Sequence, residues 1–329
     1  MKAVNYTEFG PAETVLKLGE MDRPAPGPGE VLVRLAYSGV NPSDAKARAG
    51  GRPGMSKPPF PVIVPHSDGA GVIEAVGEGV DAARLGEPVW LWNGQWQRAF
   101  GTAAQYIALP SAQAVPLPEG VSLETGAMLG IPGLTAARAV FGGGEVAGRT
   151  VLISGGAGSV GHIAVQLARR AGARVIATAS KGARNRVLEA GAQTCLDYAD
   201  PDLGAQVMQA TDGYGIDRAV EVEFGRNAAL LGEVMRPNAT ICAYGSGQDM
   251  TPVLPFGPYL FKALTIDIVL IYILDDPTRQ TAIARLHDAL AEGALDVACH
   301  AILPMDQAAR AHEMVMAPGR TGGVLLDVS

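Results

Sequence analysis

Imidazole and carboxylate groups stand close together in residues 64–77, VPHSDGAGVIEAVG. His66 lies two positions before Asp68, and Glu74 follows shortly after. Nitrogen and oxygen ligands of this kind bind zinc when three or four of them converge. The first question is therefore whether this chain holds a metal ion, because the answer decides which reactions are open to it.

A second chemical signal is the stretch VLISGGAGSVGHIAV, in which Gly155, Gly158 and Gly161 recur between a strand pattern and a helical pattern. Glycine lets the backbone turn sharply and approach a pyrophosphate, and the helix N-terminus presents N–H groups to the anion. Such a motif alone also fits a tight strand–helix turn, but this context predicts a dinucleotide site. The residues predicted to form it are Gly155, Ala157, Gly158, Ser159, Val160 and Gly161.

The next strand pattern, ARVIATASKGARNR, indicates which dinucleotide binds. An NAD site usually has an acid about 20 residues past the glycines. Here Ser180 and Lys181 stand at that place, followed by Arg184, with no acid before Glu189. A hydroxyl and cations suit a 2′-phosphate, so we expect NADPH. Lys181 or Arg184 taken singly would fit a solvated helix-start charge equally well.

The elements that must position these groups show two different sequence patterns, one up to about residue 125 and one from Arg149. Up to about residue 125, period-2 patterns such as EVLVRLAYSGV alternate with Pro/Gly turns and predict a β-barrel-like unit. From Arg149, short apolar strands alternate with helical patterns, which predicts a parallel, doubly wound sheet. The expected strands are TVLISGG, RVIATA, TCLD, IDRAVEV, TICAYG and LTIDIVLI. We expect an α/β fold with a β-barrel-like domain over 1–124, completed by 275–329, and a dinucleotide-binding domain over 125–274.

Composition excludes several classes of protein. The chain has 329 residues, which favours two domains, and its net charge of −7 argues against a nucleic-acid partner. The three cysteines form no Cys-x-x-Cys pair, so neither a disulfide framework nor a thiolate zinc site is expected. The N-terminus has no signal-peptide pattern, and the most apolar run, LTIDIVLIYIL, is too short to span a bilayer. We expect a cytoplasmic protein without a membrane partner.

Motifs in nearly the whole chain resemble the quinone oxidoreductase (zeta-crystallin-like) branch of the medium-chain dehydrogenase/reductase superfamily. They fall in the family's order and spacing: YSGVNPSD, HSDGAGVIEAVGEGV, AAQYIALP, GAMLGIPGLTAARAV, GGAGSVG and GRTGGVLLDV. The resemblance implies a GroES-like catalytic domain, a Rossmann cofactor domain, and hydride transfer from NADPH to a conjugated carbonyl. It also implies a homodimer, consistent with an exposed sheet edge at LTIDIVLIYIL.

The resemblance also bears on the metal. Zinc-dependent relatives hold their catalytic metal with a Cys after SGV and a His–Glu pair before GAG; those positions here are Asn41, Ser67 and Asp68. His66 lies one place earlier, where relatives usually have glycine. The segment that would carry four structural zinc cysteines, VWLWNGQWQRAFGTA, contains none. We therefore expect no metal ligands in this chain.

Further cofactor contacts are implied by the resemblance alone. Tyr198 would neighbour the 2′-phosphate, and the remaining positions would lie at the nicotinamide end. These positions are Thr135, Gly245, Ser246, Val269 and Leu270.

An enzyme without a metal ion can reduce fewer kinds of acceptor. Reduction of a simple ketone depends on a Lewis acid, whereas a quinone accepts hydride readily. We expect an NADPH:quinone reductase; the alternatives are a reductase of α,β-unsaturated ketones or enoyl thioesters, and a non-catalytic nucleotide-binding protein of the crystallin-like or RNA-associated kind. GMSKPPFPVIV contains no tyrosine to act as the acid of enoyl-reducing relatives. The physiological acceptor and the number of electrons transferred per step do not follow from the sequence.

Two residues are predicted to be catalytic. Asn41 could donate a hydrogen bond to a substrate oxygen or to the nicotinamide ribose, or it could be a turn residue that caps its own backbone. His66 could protonate a reduced quinone oxygen, or it could be a hydrogen-bonded loop histidine.

Overall fold

The computed structural model describes residues 1–51 and 54–329. The chain folds into two compact units: Met1–Ile131 with Val297–Ser329, and Pro132–Asp296. Within the described residues, every helix is too short or too polar to cross a lipid bilayer.

The unit Pro132–Asp296 is a parallel six-stranded sheet with helices between successive strands. Its strands are β8 (Thr150–Ile153), β9 (Arg174–Ala179), β10 (Thr194–Asp197), β11 (Ile216–Glu221), β12 (Met235–Ala243) and β13 (Thr265–Ile268). Its helices are α4 (Leu134–Phe141), α5 (Ser159–Arg170), α6 (Arg184–Glu189), α7 (Leu203–Ala210), α8 (Phe224–Val234), α9 (Phe256–Phe261) and α10 (Asp276–Ala291). The strand order β10-β9-β8-β11-β12-β13 reverses direction at β8, as in a Rossmann fold. The predicted doubly wound sheet and its six strands are confirmed.

The other unit is built on a seven-stranded sheet whose main path runs β14-β15-β3-β4-β5-β7, with β6 also paired to β3. Its strands are β1 (Lys2–Asn5), β2 (Lys17–Glu20), β3 (Glu30–Val40), β4 (Asp68–Val76), β5 (Pro88–Leu91), β6 (Tyr106–Pro110), β7 (Ala114–Pro116), β14 (Cys299–Pro304) and β15 (Gly323–Asp327). Its helices are α1 (Ala12–Val15), α2 (Pro42–Arg48), α3 (Leu123–Gly126) and α11 (Ala308–Met316). β1 and β2 form a separate antiparallel pair. The chain's C-terminal strands thus complete this GroES-like unit, whose core contains apolar residues from both ends of the sequence.

Near the C-terminus, the limit between the two units lies at Val297 and not at the predicted residue 275. Helix α10 packs against α4 and belongs with the parallel sheet, and only residues from Val297 onward join the other unit. The cause is the apolar face of α10, on which Ile283 and Leu286 are buried. The sequence pattern identified the helix but could not say which core its apolar face covers.

The structure explains why the apolar run around β13 contains an acid, Asp267. Asp267 forms a bidentate ion pair with Arg138 of α4, with nitrogen–oxygen distances of 2.7 and 3.1 Å. A partly buried carboxylate is tolerated when a guanidinium satisfies both of its oxygens. The ion pair therefore ties the outermost strand of the sheet to a helix that packs on it.

Candidate active site

The glycine turn lies directly after β8, the strand at which the sheet order reverses. Gly155 has φ of 69°, a left-handed conformation that favours glycine. Two hydrogen bonds fix the turn to β9: the Gly155 N–H donates to Thr178 Oγ1 at 3.2 Å, and the Gly156 N–H donates to the Thr178 carbonyl at 2.8 Å. The chain can then enter α5 within a few residues.

The other two glycines of the motif differ in how much space surrounds them. A Cβ on Gly161 would lie 2.2 Å from the Gly155 carbonyl oxygen, so helix α5 can approach the turn only without a side chain there. A Cβ on Gly158, the N-cap of α5, would meet only the Gly155 oxygen at 3.4 Å, an ordinary contact. Among the described residues no contact therefore excludes a side chain at Gly158, and a glycine there leaves space beside the turn for a ligand. A pyrophosphate at the helix N-terminus fits this arrangement.

Most of the other predicted cofactor residues lie at the same edge of the sheet. Because β8–β13 are parallel, the residues that follow each strand are brought to one edge, where ligands of open α/β sheets bind. The residues that follow β9, β10, β12 and β13 there are Ser180, Lys181, Tyr198, Gly245, Ser246, Val269 and Leu270. Thr135 is the exception, since it lies buried within α4 rather than after a strand.

A cavity of about 200 Å³ lies beyond the ends of β9 and β10, lined among others by Ser180, Lys181, Arg184 and Asp197. Lys181 Nζ lies 3.8 Å from Asp197 Oδ2, and its side chain is otherwise largely exposed. Arg184 Nη1 donates to the Cys195 carbonyl at 2.8 Å. The three side chains predicted from the sequence thus share one cavity, and an acid from the neighbouring strand joins them.

The buried carboxylate of Glu221 stabilises the edge of the sheet at which these residues lie. Glu221, at the end of β11, accepts hydrogen bonds from Ser154 Oγ at 2.8 Å and Asn227 Nδ2 at 3.0 Å. Burial raises the pKa of this carboxyl, while the donated hydrogen bonds oppose the rise. Ser154 also accepts the Val222 N–H, which links the ends of β8 and β11.

The loop that follows β12 is held by a second carboxylate. Glu223 Oε2 accepts the Gly247 N–H at 3.0 Å and its Oε1 accepts the Gln248 N–H at 2.8 Å. The Gly225 N–H donates to Ser246 Oγ at 2.8 Å. Gly245 and Ser246 therefore belong to a loop whose backbone is fixed by α8 and by the residues just before it.

In the other unit, Asn41 lies at the N-cap of α2, with its side-chain amide held by Asp68. Asn41 Nδ2 donates to Asp68 Oδ2 at 2.8 Å, and the Ile131 N–H lies 2.9 Å from both carboxylate oxygens. Asp68 is fully buried, and burial raises the pKa of its carboxyl well above the ordinary value, against the effect of these donors. The bond to Asp68 fixes the orientation of the Asn41 amide.

These side chains do not fit a zinc ion. The Asn41 amide nitrogen is a donor and not a ligand, and the oxygens of Asp68 are already directed at N–H groups. Across residues 1–51 and 54–329, no three His, Cys, Asp or Glu side chains converge closely enough to hold a metal ion.

His66 is buried, with both ring nitrogens hydrogen-bonded within the protein. Its Nδ1 lies 2.8 Å from Ser38 Oγ, and its Nε2 lies 2.8 Å from His312 Nε2. Burial and the neighbouring His312 lower the pKa of His66 well below 6.5. The geometry favours the hydrogen-bonded loop histidine over the proton donor, since both ring nitrogens already have partners within the protein.

The same contacts fix where the protons lie. Thr102 Oγ1 donates to the Asp68 carbonyl, an obligate acceptor, so Ser38 must donate to Thr102 and accept from His66 Nδ1–H. His66 Nε2 then accepts from His312 Nε2–H. His66 is neutral in this chain of hydrogen bonds, and burial, which lowers the pKa of His312 to about 3, keeps His312 neutral as well. His66 has φ of 77°, so its backbone conformation is the left-handed one that favours the glycine usual at this place.

Comparison with known proteins agrees with this geometry. The family model for the alcohol dehydrogenase GroES-like domain matches residues 27–119, and the model for the zinc-binding dehydrogenase matches residues 159–288. The quinone oxidoreductase of Rattus norvegicus is 28% identical over 329 residues, which covers 99% of this chain and 97% of that protein. The chain belongs to the medium-chain dehydrogenase/reductase superfamily. It is an oxidoreductase of that superfamily, and the predicted fold class and family are confirmed.

The solved structures similar to this chain include one of a protein named as NAD-dependent and one of a complex with NADPH. An NAD-dependent alcohol dehydrogenase aligns with a TM-score of 0.88 at 28% identity, covering 100% of both chains. A mycobacterial protein complexed with NADPH aligns with a TM-score of 0.85 at 28% identity, covering 99% of both chains. A nicotinamide cofactor therefore binds this fold, and its phosphorylation state is a separate question.

Sequence reasoning missed several residues of this site. Asp197 ends the pattern TCLD, next to the predicted Tyr198, whereas the acid of an NAD site is expected about 20 residues past the glycines, in the preceding strand pattern. Glu221 and Glu223, in IDRAVEVEFG, carry the signal of acids at the end of a buried strand. His312 offered no comparable signal, because 246 residues separate it from His66.

Proposed function

We propose that this protein is an NADPH-dependent reductase of quinones that works without a metal ion. The observation that carries the proposal is the cavity beyond β9, where Ser180, Lys181 and Arg184 lie together at the edge that carries the glycine turn. A 2′-phosphate requires donors and cations at that place.

The glycine turn and the cavity would bind two groups of the cofactor's adenosine half, the pyrophosphate and the 2′-phosphate. The first turn of α5 would accept the pyrophosphate, with Gly158 leaving room for its approach. Ser180 and Lys181 would bind the 2′-phosphate, and Tyr198, which is 60% exposed, would cover it. The bound cofactor supplies the hydride.

The nicotinamide end is assigned to the loops after β12 and β13. Gly245 and Ser246 are fixed through Glu223 and Gly225, while Val269 is buried and donates its N–H to Ala243. Fixed loops hold a reactive ring in one orientation, which is a large part of what catalysis of hydride transfer requires of a protein.

Asn41 is the residue we assign to the acceptor. Its amide has two N–H groups; one is bonded to Asp68, and we assign the other to a carbonyl oxygen of the quinone. His66 receives no part in proton transfer, because its nitrogens are committed to Ser38 and His312. A quinone suits such a site, since it spreads the incoming charge over two oxygens and can take its protons from water.

The test is NADPH oxidation by the purified protein with a panel of para- and ortho-quinones, with and without a metal chelator. We expect turnover that the chelator does not change. A conjugated ketone and an enoyl thioester serve as competing acceptors; faster formation of their saturated products would favour that alternative. Stoichiometric zinc whose removal abolishes turnover would refute the proposal, and tight NADPH binding without turnover by any acceptor would favour a non-catalytic role.

The phosphate assignment has a test of its own. Lys181→Glu places a carboxylate where the 2′-phosphate is assigned, so we expect the KM for NADPH to rise at least about tenfold and that for NADH to change little. Lys17→Glu, the same charge reversal on exposed β2, is the control. An equal effect of Lys181→Glu on both cofactors would contradict the assignment.

We also propose a homodimer that pairs the β13 edges of two copies. β13 is an outer strand of its sheet, and nearby Phe261 and Ile268 are 89% and 70% exposed. Edges of this kind are usually covered. Light scattering at micromolar concentration should give a dimer, and Ile268→Lys should give a monomer where Leu85→Lys, in the other unit, does not. A monomeric parent protein would exclude this interface.

A further inference from the structure

The cavity assigned to the 2′-phosphate is lined by an acid as well as by cations. Asp197 is the last residue of β10, and its Oδ2 lies 3.8 Å from Lys181 Nζ. Both residues line the same cavity of about 200 Å³. A ligand bound to the Lys181 ammonium in that cavity would therefore also meet the Asp197 carboxylate.

A second acid acts on the same lysine from the turn that follows. The pKa of Asp200 lies below its ordinary value, chiefly because the Asp202 N–H donates to it, with smaller contributions from Gln206 and the positive charge of Lys181. Two carboxylates, that of Asp197 in the cavity and that of Asp200 in the turn after β10, thus match the two cations of the cavity, Lys181 and Arg184. The formal charge of the group is zero, whereas a site dedicated to a phosphate dianion would be positive.

Within residues 1–51 and 54–329, the other hydrogen bond of the Asp197 side chain does not explain a charge at its position. Its Oδ1 accepts the Ala199 N–H at 3.0 Å, which closes a turn after β10. An asparagine closes the same turn with its carbonyl oxygen. The local backbone therefore requires an oxygen acceptor there and does not require a negative charge.

Resting on the proposed function, we infer that Asp197 is a specificity-determining residue, whose carboxylate limits the preference for NADPH over NADH and allows the enzyme to use both cofactors. The carboxylate acts in two ways. It competes with the 2′-phosphate for Lys181, and it repels the phosphate directly. NADH has no charge at that position, so its binding is affected much less.

The experiment compares kcat/KM for NADPH and NADH, with one quinone, in the parent enzyme and in Asp197→Asn. The substitution keeps the turn acceptor and removes the charge. We expect the NADPH/NADH ratio of kcat/KM to rise about tenfold, mostly through a lower KM for NADPH, the size expected for one carboxylate near a dianion in a half-exposed site. Because the effect is electrostatic, it should shrink on going to about 0.5 M salt.

Two further variants separate the possible failures. Asp202→Asn removes an exposed acid nearby and should leave the ratio unchanged; an equal rise there would overturn the inference, because the effect would be one of general charge. If Lys181→Gln lowers the preference for NADPH but Asp197→Asn does not raise it, the phosphate site stands and the inference fails. If Lys181→Gln affects neither cofactor, the phosphate does not bind here and the proposed site fails first.

Discussion

The three glycines of the turn after β8 can be separated by experiment, because the structure gives each a different role. Gly161→Ala would place a Cβ 2.2 Å from the Gly155 oxygen, about 1 Å inside ordinary contact with rigid backbone. Such overpacking costs about 1–3 kcal/mol, so we expect a fall in Tm of several degrees. Gly158→Ala meets no close atom and costs about 1 kcal/mol or less as an N-cap change.

The two variants should separate stability from binding. In Gly158→Ala the added methyl group lies where the pyrophosphate is expected to approach, so the Kd for NADPH should rise at least about tenfold, or about 1.4 kcal/mol, in a protein whose Tm is nearly unchanged. Thermal unfolding and titration of cofactor fluorescence measure the two quantities. Gly257→Ala, with no atom within 4 Å of the new Cβ, is the control.

The outcome that would refute this reasoning is specific. If folded Gly158→Ala binds NADPH like the parent protein, the pyrophosphate does not lie against this turn. If Gly161→Ala unfolds at the parent temperature, the close approach of α5 to the turn is not rigid. Either result would remove the physical basis for assigning the dinucleotide to residues 155–161.

Three further predictions concern the hydrogen bonds around the site. Glu223→Gln keeps only one of the two acceptors for the loop after β12, so the KM for cofactor should rise about fivefold at nearly constant Tm; unchanged kinetics would show that the loop needs no such support. Asp68→Asn should turn an N–H toward Asn41 or the Ile131 N–H and cost about 2–4 kcal/mol in chemical unfolding; a cost below about 0.5 kcal/mol would contradict the assigned bonds. The pKa of His66 is lowered by burial, and that of His312 is lowered to about 3, so the stability these groups contribute is present above pH 6.5 and is lost as the pH falls. Between pH 7 and 5 the loss of stability should be smaller in His312→Gln than in the parent protein by about 2 kcal/mol, the share of His312; an equal pH dependence in that variant would disprove the neutral pair.

Local patterns in the sequence were sufficient for the fold class and for the position of the glycine turn. Apolar periodicity located the six parallel strands, and strand–glycine–helix order located the turn at Gly155. Both are short-range properties: a strand alternates or stays apolar over a few residues, and a left-handed turn requires glycine at one position. Parallel strands then bring their carboxyl ends together, which is why Ser180 and Lys181 could be assigned to one edge from the strand pattern, whereas Val269 was implied by the resemblance alone.

Only the tertiary structure decided what these side chains face. It placed Asp197 beside Lys181, paired His66 with His312 across 246 residues, and packed α10 on α4 rather than on the other core. In each case the deciding interaction joins segments whose spacing in the sequence carries no signal. The charge balance of a cavity and the protonation of a buried ring depend on such neighbours, because Coulomb forces and desolvation act through space and not along the chain.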